Sequence, residues 1–562
     1  MPDRIDQPGT SEWWREAVFY QIYIRSFADE NGDGIGDIAG IVSRLAYLSD
    51  LGVDAIWITP WYPSPFADGG YDVADYRDVA PVFGDLDGAD ALVAEVHRLG
   101  MRIILDLVPN HTSDQHPWFR RAIAASPGSP ERGWYWFRRG LGQGGDSPPN
   151  DWRSVFGGPA WERLATGPTE EEPEWYLHLF STEQPDLNWS NPLVADSFDD
   201  VLRFWFDRGV DGFRIDVANA LVKDPALPDL GVRDAGRPQS EPPDAAAETV
   251  GHPFWDRDEV HDIYRRWHRI AESYRDTVEG PRMFVAEAWR VRPDGLARYV
   301  RPDELQGAFN FEYLNAPWEP EALRSAIDHH IAMLDAVGAS PSWVLSNHDT
   351  VRVVTRYGTV IGPNPDGGGE GIHLDLDLGL RRARAAALLM LALPGAAYIY
   401  QGDELGLPEV DDLPDVARQD PIWRRSGGAV RGRDGCRVPL PWSDEGPSLG
   451  FGSAGSWLPQ PADWANLSVT RQSTDPDSVL SLYRRAIDLR RVHLKPGVPP
   501  LRWRDAGDGV LALDRGDAFG CVVNFTGADV SLEASADVLL ASRALEGGRL
   551  PSDTAVWLRR NP

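Results

Sequence analysis

Cysteine is nearly absent from the chain: among 562 residues there are two, Cys436 and Cys521. A disulfide framework is excluded, although one bridge is not. Lysine is equally scarce, at Lys223 and Lys495 alone, so arginine carries almost all of the basic charge. Even so, 55 Lys and Arg face 86 Asp and Glu, for a formal net charge of −31. So acidic a surface does not suit nucleic acid or an anionic membrane. No run of 18 apolar residues occurs, so no segment is expected to span a bilayer. The opening MPDRIDQPGTSEWW holds no apolar segment of the secretory kind. These absences predict a cytoplasmic protein without nucleic-acid or membrane partners. Two phosphate-binding signals are also missing: no GxGxxG follows the first strand, and there is no Walker sequence.

What is present is ordinary globular composition, 42% hydrophobic and 25% charged, with length for more than one domain. Short β-branched or aromatic runs alternate with segments of helical period. The runs are AVFYQIYIRSF (17–27), DAIWITP (54–60), RIILDLVPN (102–110), GFRIDVA (212–218), MFVAEAW (283–289), GAFNFEYL (307–314), PSWVLSNHD (341–349) and AAYIYQGDELG (396–406). Eight strands, most followed by a helix, predict an α/β protein built on a parallel (β/α)8 TIM barrel. The barrel is expected over residues 1–110 and 181–495. A Trp-, Pro- and Gly-rich stretch after strand three, 111–180, reads as a small inserted domain. A polar insertion of about 407–475 follows strand eight. Beyond Pro499 the period shortens (GVLALDR, GCVVNF, TAVWLR), which predicts a C-terminal all-β domain over 496–562.

In such a barrel the chemistry sits at the C-terminal strand ends. Strand three ends in Asp106 and Asn110-His111, strand four in Arg214 and Asp216, strand five in Glu287, strand seven in Asn347-His348-Asp349, strand eight in Asp403-Glu404. Arg214 and Asp216 are two apart on a strand and share a face. Alone they would be read as a structural ion pair. Asp216, Glu287 and Asp349 on three separate strands, with two histidines and an arginine, point to a site. Metal-assisted catalysis is one option, but HxH and HExxH spacings are missing and Arg214 would repel a cation. Glycoside cleavage is the other, and it needs a carboxylate nucleophile and a carboxylic acid. Arg214 is expected to keep Asp216 ionised. Glu287, among Val285, Ala286, Ala288 and Trp289, has the apolar setting that suits an acid/base. His111 and His348 are expected as neutral hydrogen-bond partners. The 23 tryptophans suit stacking on sugar rings as well as core filling.

DLVPNHT (106–112), GFRIDVAN (212–219), EAW (287–289) and LSNHDT (345–350) resemble four signature segments of the α-amylase superfamily of glycoside hydrolases. QPDLNW (184–189) resembles a fifth, in the form seen in the α-glucosidase and oligo-1,6-glucosidase branch, which GYDVADY (70–76) and GRDGCRVPLPW (432–442) also match. The resemblance spans nearly the whole chain. It implies a retaining, exo-acting α-glucosidase with Asp216 as nucleophile, Glu287 as acid/base and Asp349 as transition-state stabiliser. It places Arg214, His111 and His348 around the sugar, Tyr71 beneath it, Asp72 and Arg437 on the terminal glucose hydroxyls, and Phe156 as a pocket wall or, equally, as core of the insert. Val217 resembles the residue of enzymes that cleave α-1,6 bonds, a weak discriminator. Transglucosylation, trehalose synthesis and action on sucrose share the same intermediate and stay open. Inactive membrane-anchored relatives lack the acid set, which is present here. The expected partners are small α-glucosides, and the expected state is a monomer or small homo-oligomer.

DENGDGIGD (29–37) sets oxygen side chains at Asp29, Asn31, Asp33 and Asp37 on a Gly-rich loop, as a hard cation requires. It begins like an EF-hand, but the twelfth position is Gly40 where an EF-hand needs Glu. A solvated acidic turn is the alternative. The resemblance implies a structural Ca2+ held by those four side chains and the carbonyl of Ile35.

Overall fold

The computed structural model describes residues 12–164, 173–231, 251–289, 291–292, 294–363, 370–494, 499–533, 536–545 and 547–560. Eight parallel strands form its centre: β1 (Val18–Ile22), β2 (Ala55–Ile58), β3 (Arg102–Leu107), β4 (Gly212–Ile215), β5 (Met283–Ala286), β6 (Gly307–Ala308), β7 (Ser342–Val344) and β8 (Ala396–Tyr400). Their hydrogen-bonded order is β7-β8-β1-β2-β3-β4-β5-β6, a nearly closed barrel. At the seam, a Cβ added to Gly307 of β6 would lie 3.6 Å from Ser342 Oγ of β7. The strands are mostly apolar and nearly all of their residues are buried, because both faces are covered, one by the barrel interior and one by helices.

The helices follow from caps and stripes. Asp37 caps α1 (Ile38–Leu51) by accepting from Gly40 N–H, and Asp85 caps α2 (Leu86–Arg98) through Gly88 N–H. In α3 (Pro192–Asp207) the buried set Val194, Phe198, Val201, Leu202, Trp205 and Phe206 recurs at helical spacing. Each such side chain contributes roughly 1.5–3 kcal/mol by leaving water. The layer continues through α4 (Val260–Glu272), α5 (Gly295–Tyr299), α6 (Pro320–Asp335), α7 (Leu376–Ala392) and α8 (Val479–His493).

The sixth apolar run does not stay extended to 314. After two strand residues Asn310 accepts from Tyr313 N–H at 2.9 Å and starts a short helix, Phe311–Asn315. The stretch after β3 carries a three-stranded antiparallel sheet ordered Phe137–Arg139, Glu174–Leu177, Trp161–Arg163. A two-stranded hairpin, Thr359–Pro363 with Glu370–Leu374, follows β7, where the sequence suggested no strand. Leu501–Arg560 contains a five-stranded antiparallel sheet. It docks on α7, with Trp557 Nε1 donating to Leu388 O and Arg384 Nε to Ser542 O. Cys436 and Cys521 are both buried and free. No helix among the described residues is long and apolar enough to cross a membrane.

Candidate active site

Register explains how the charges meet. Asp106 on β3 pairs laterally with Arg214 on β4, and Arg214 with Val285 on β5. The Arg214 guanidinium reaches sideways and along its own strand. Nη1 donates to Asp106 Oδ1 and Asp216 Oδ1, both at 2.7 Å, and Nη2 lies 2.6 Å from Glu287 Oε2. One arginine, 2% exposed, thus contacts three acids. Asp216 and Glu287 are themselves 6% and 5% exposed. The bare ion-pair reading of Arg214 and Asp216 gives way to a cluster of four.

Burial pushes the Asp216 carboxyl above the usual carboxylate range, and Glu287, Asp106 and Asp349 add to it against the pull of Arg214. Arg214 opposes that rise, with its one guanidinium divided among three acids. Asp106 is raised to about 6, chiefly by burial. A proton placed on any one acid relieves the others.

The segment after Asp216 wraps around Glu287. Val217 has φ +46°, a strained value for a β-branched residue. That turn aims the Val217 N–H at Glu287 Oε2, 3.0 Å away, while the Ala218 N–H donates to Glu287 O at 2.8 Å. Trp289 Nε1 donates to the other carboxyl oxygen, Oε1, at 2.5 Å.

Asp349 lies across the mouth. Its Oδ1 is 2.9 Å from Arg437 Nη2 and 3.0 Å from Arg433 Nη1. Burial raises its carboxyl, but His348, Arg433, Arg437 and Arg214 outweigh burial and hold it well below the ordinary range. His348 is fixed between Gln21 Nε2 (2.7 Å) and Tyr71 Oη (2.6 Å) and lies parallel to the Tyr71 ring at 5.3 Å. Burial lowers its pKa far below 6.5 and lowers that of His111 to about 4, so both rings are neutral at neutral pH. Tyr71 Oη also donates to Asp106 Oδ2. His111 Nε2 sits 3.0 Å from Gln184 Nε2 and 3.2 Å from Tyr71 O. Phe156 underlies the Arg433 guanidinium at 5.2 Å and packs on Phe180.

Asp72 is the exception. It is fully buried, and its oxygens accept from Ala67 N–H and Asp68 N–H inside its own loop. No ion pair or hydrogen bond among the described residues joins it to Arg437, Asp106, Asp216, Glu287 or Asp349, and burial raises it to about 6. The acid of that loop that faces the mouth is Asp68, with Oδ1 2.7 Å from Arg433 Nη2 and Oδ2 accepting from Gln184 at 3.2 Å. Sequence reasoning missed Asp68 and Arg433. Arg433 lies in the GRDGCR motif four residues before Arg437, and Asp420 fixes it from behind at 2.6 Å. Arg424 and Arg425 tie the same insertion to Ala67 O and Gly157 O, which closes the rim. A cavity of about 550 Å3 lies elsewhere, between α5 and α6, lined by Arg298, Arg301, His329 and Met333, with no acid of the mouth in its wall.

The acidic loop before α1 offers oxygen donors only. Asp29 and Asp37 are buried, no cationic side chain pairs with either among the described residues, and burial with the charge of Asp29 raises Asp37. Asp29, Asn31, Asp33 and Asp37 presently accept loop N–H groups. Among the described residues no three His, Cys, Asp or Glu side chains converge as a metal site. The donor chemistry fits a hard cation. At Gly40 a Cβ would sit 2.0 Å from Ala28 O, which explains why no glutamate occupies the position an EF-hand would use.

Comparison with known proteins agrees with this geometry. The α-amylase catalytic-domain family matches residues 21–496. The oligo-1,6-glucosidase of Parageobacillus thermoglucosidasius is 36% identical over 511 residues, covering 86% of this chain and 84% of the relative. A probable α-glucosidase of Rhizobium meliloti (strain 1021) is 39% identical over 492 residues, covering 86% and 83%. Among solved structures, an α-glucosyl transfer enzyme superposes with a TM-score of 0.81 at 33% identity, covering 99% of this chain and 100% of that one. A mutant isomaltulose synthase from Erwinia rhapontici NX5, in complex with its natural substrate sucrose, reaches 0.82 at 30%, covering 98% and 100%.

Proposed function

The chain belongs to the α-amylase catalytic-domain family and is a glycoside hydrolase, and from that premise we propose that it is a retaining, exo-acting α-glucosidase that releases glucose from the non-reducing ends of short α-glucosides. The observation that carries the reading is Arg214, whose single guanidinium contacts the proposed nucleophile Asp216 and the proposed acid/base Glu287 together. Retaining enzymes need two carboxyls about 5–5.5 Å apart.

In the first step Glu287 gives its proton to the glycosidic oxygen as Asp216 attacks C1. The leaving oxygen takes the bonding pair, and a glucosyl ester on Asp216 results. Before that step the proton on Glu287 removes a negative neighbour and so favours ionised Asp216. In the second step water loses a proton to Glu287 as its oxygen displaces Asp216. Asp349, held ionised by its arginines, offers acceptor oxygens to the sugar hydroxyls and to the developing positive charge. Tyr71, His111, His348 and Arg437 line the sugar, with Asp68 rather than Asp72 at the closed end and Phe156 at the wall.

Transfer to a second sugar uses the same intermediate. Neighbours named for glucosyl transfer and for isomaltulose synthesis support a transfer component, while the glucosidase names of the 36–39% relatives favour hydrolysis. In the loop before α1, Asp29, Asn31, Asp33, Asp37 and the Ile35 carbonyl would hold Ca2+, which when bound offsets the repulsion between two buried carboxylates. Asp216→Asn and Glu287→Gln should each lower kcat on an aryl α-glucoside by 10³-fold or more, on the order of a lost nucleophile or acid. Activity within tenfold of wild type rejects the assignment. Anomer-resolved NMR on maltose, isomaltose, sucrose and trehalose reads retention, linkage and transfer together.

A further inference from the structure

Glu287 is gripped at both oxygens, and the two grips differ in kind. Oε2 faces the Arg214 cation at 2.6 Å and the Val217 N–H at 3.0 Å. A carboxyl oxygen held by a cation and an N–H is the one that keeps the negative charge. The transferable proton is therefore left to Oε1. Among the described residues Oε1 has one protein donor, the Trp289 indole N–H at 2.5 Å. Trp289 is anchored in turn: its ring lies on Phe311 with centroids 3.5 Å apart and planes at 17°. Phe311 opens the short helix that Asn310 caps directly after β6, so the anchor is part of the barrel rim.

We propose that Trp289, braced by Phe311, is a positioning residue that aims the proton-bearing oxygen of Glu287 at the glycosidic oxygen, an inference that rests on Glu287 being the acid/base. Trp289 accepts no proton and touches no reacting bond. The proton moves from Glu287 Oε1 to the glycosidic oxygen, the C1–O bond breaks with its pair on that oxygen, and Asp216 takes C1. Without the indole N–H the carboxyl can swing about its last torsion, and alignment between Oε1 and the glycosidic oxygen is lost.

Alignment matters only when the leaving group needs a proton. Methyl α-glucoside does, and α-glucosyl fluoride does not. The experiment compares kcat/KM for the two substrates in wild type, Trp289→Phe, Phe311→Leu and Glu287→Gln. Trp289→Phe keeps the stack and loses the N–H. Its fluoride-to-methyl ratio of kcat/KM should rise about tenfold or more, part of the 10²–10⁴ that a positioned acid supplies. Phe311→Leu should move the ratio the same way by less. A merely structural role lowers both rates alike. A Trp289→Phe ratio within threefold of wild type overturns the inference, and if that variant does not fold, the Phe311→Leu ratio decides on the same criterion. Glu287→Gln separates the two readings: its ratio should rise more than that of either neighbour, and no rise there sinks the acid/base assignment itself.

Discussion

Arg214→Met probes the cluster at its centre. Arg214 is the only ion-pair partner of Asp106, Asp216 and Glu287 among the described residues, with contacts of 2.6–2.7 Å. Removing one partner of a buried pair costs about 3–5 kcal/mol. Here the cost depends on pH, because the stranded acids escape by keeping protons. Asp106 is already raised to about 6 by burial with the cation present. A raised carboxyl gives stability that is complete below its unfolded pKa and is lost as pH rises through the folded value. Taking away Arg214 moves the folded value higher, so the loss continues to higher pH. Each additional proton held in the folded state costs about 1.36 kcal/mol per pH unit. Between pH 5 and pH 8 the deficit of the variant should therefore grow by up to about 4 kcal/mol per proton. Guanidinium unfolding at pH 5, 6.5 and 8 measures this directly. The kcat/KM on an aryl α-glucoside at pH 7 should fall about 10³-fold or more, since a protonated Asp216 is no nucleophile. A deficit that is flat across pH, or below about 1 kcal/mol at pH 8, refutes the picture of three acids sharing one arginine.

Asp68→Asn should cut kcat/KM by about 10–100-fold, the scale of one charge-assisted hydrogen bond, whereas Asp72→Asn should act on thermal stability and leave KM near wild type; the opposite split would restore Asp72 to the sugar. Chelation of Ca2+-loaded protein should lower the melting temperature, because Asp29 and Asp37 would again be buried without a cation; an unchanged melting curve excludes a stabilising ion. Glu409 is raised to about 7 by burial, although it accepts the Arg352 N–H at 3.0 Å. Its stabilising contribution is complete below about 4.5 and is lost as pH rises through 7. Glu409→Gln should therefore stabilise the protein more at pH 8 than at pH 5, by up to about 3 kcal/mol, and equal effects at both pH values would contradict the raised value.

All eight barrel strands are legible in the sequence because both of their faces are buried, so apolar residues dominate each and exceptions such as Gln21, Asp106 and Arg214 stand out. Legibility ends where one polar side chain overrides the pattern. GAFNFEYL is apolar enough for a long strand, yet Asn310 spends its amide oxygen on Tyr313 N–H and turns the chain into a helix. The hairpin at Thr359–Pro363 and Glu370–Leu374 exposes Ile361 and Ile372, at 76% and 77%, and a strand pair packed against so little leaves no alternation to read.

For the site, sequence reads well what a strand positions and poorly what a loop positions. Asp216, Glu287, Asp349 and Arg214 sit on or just beyond strands whose register fixes their direction, so motif and geometry agree. Asp68 and Asp72 lie four apart in one loop, with the same side chain and nearly the same surroundings in sequence. What separates them is which carboxylate the loop's own N–H groups consume. Asp72 takes Ala67 and Asp68 N–H and becomes scaffold, which leaves Asp68 free to meet an arginine contributed from 365 residues further along the chain. No local pattern records a contact of that span. The same holds for Glu287: EAW marks the acid, but that the tryptophan two residues later turns back to hold one of its oxygens follows only from the Phe311 ring supplied by the next strand's helix. Where a side chain's role depends on a partner from another element, the fold assigns it.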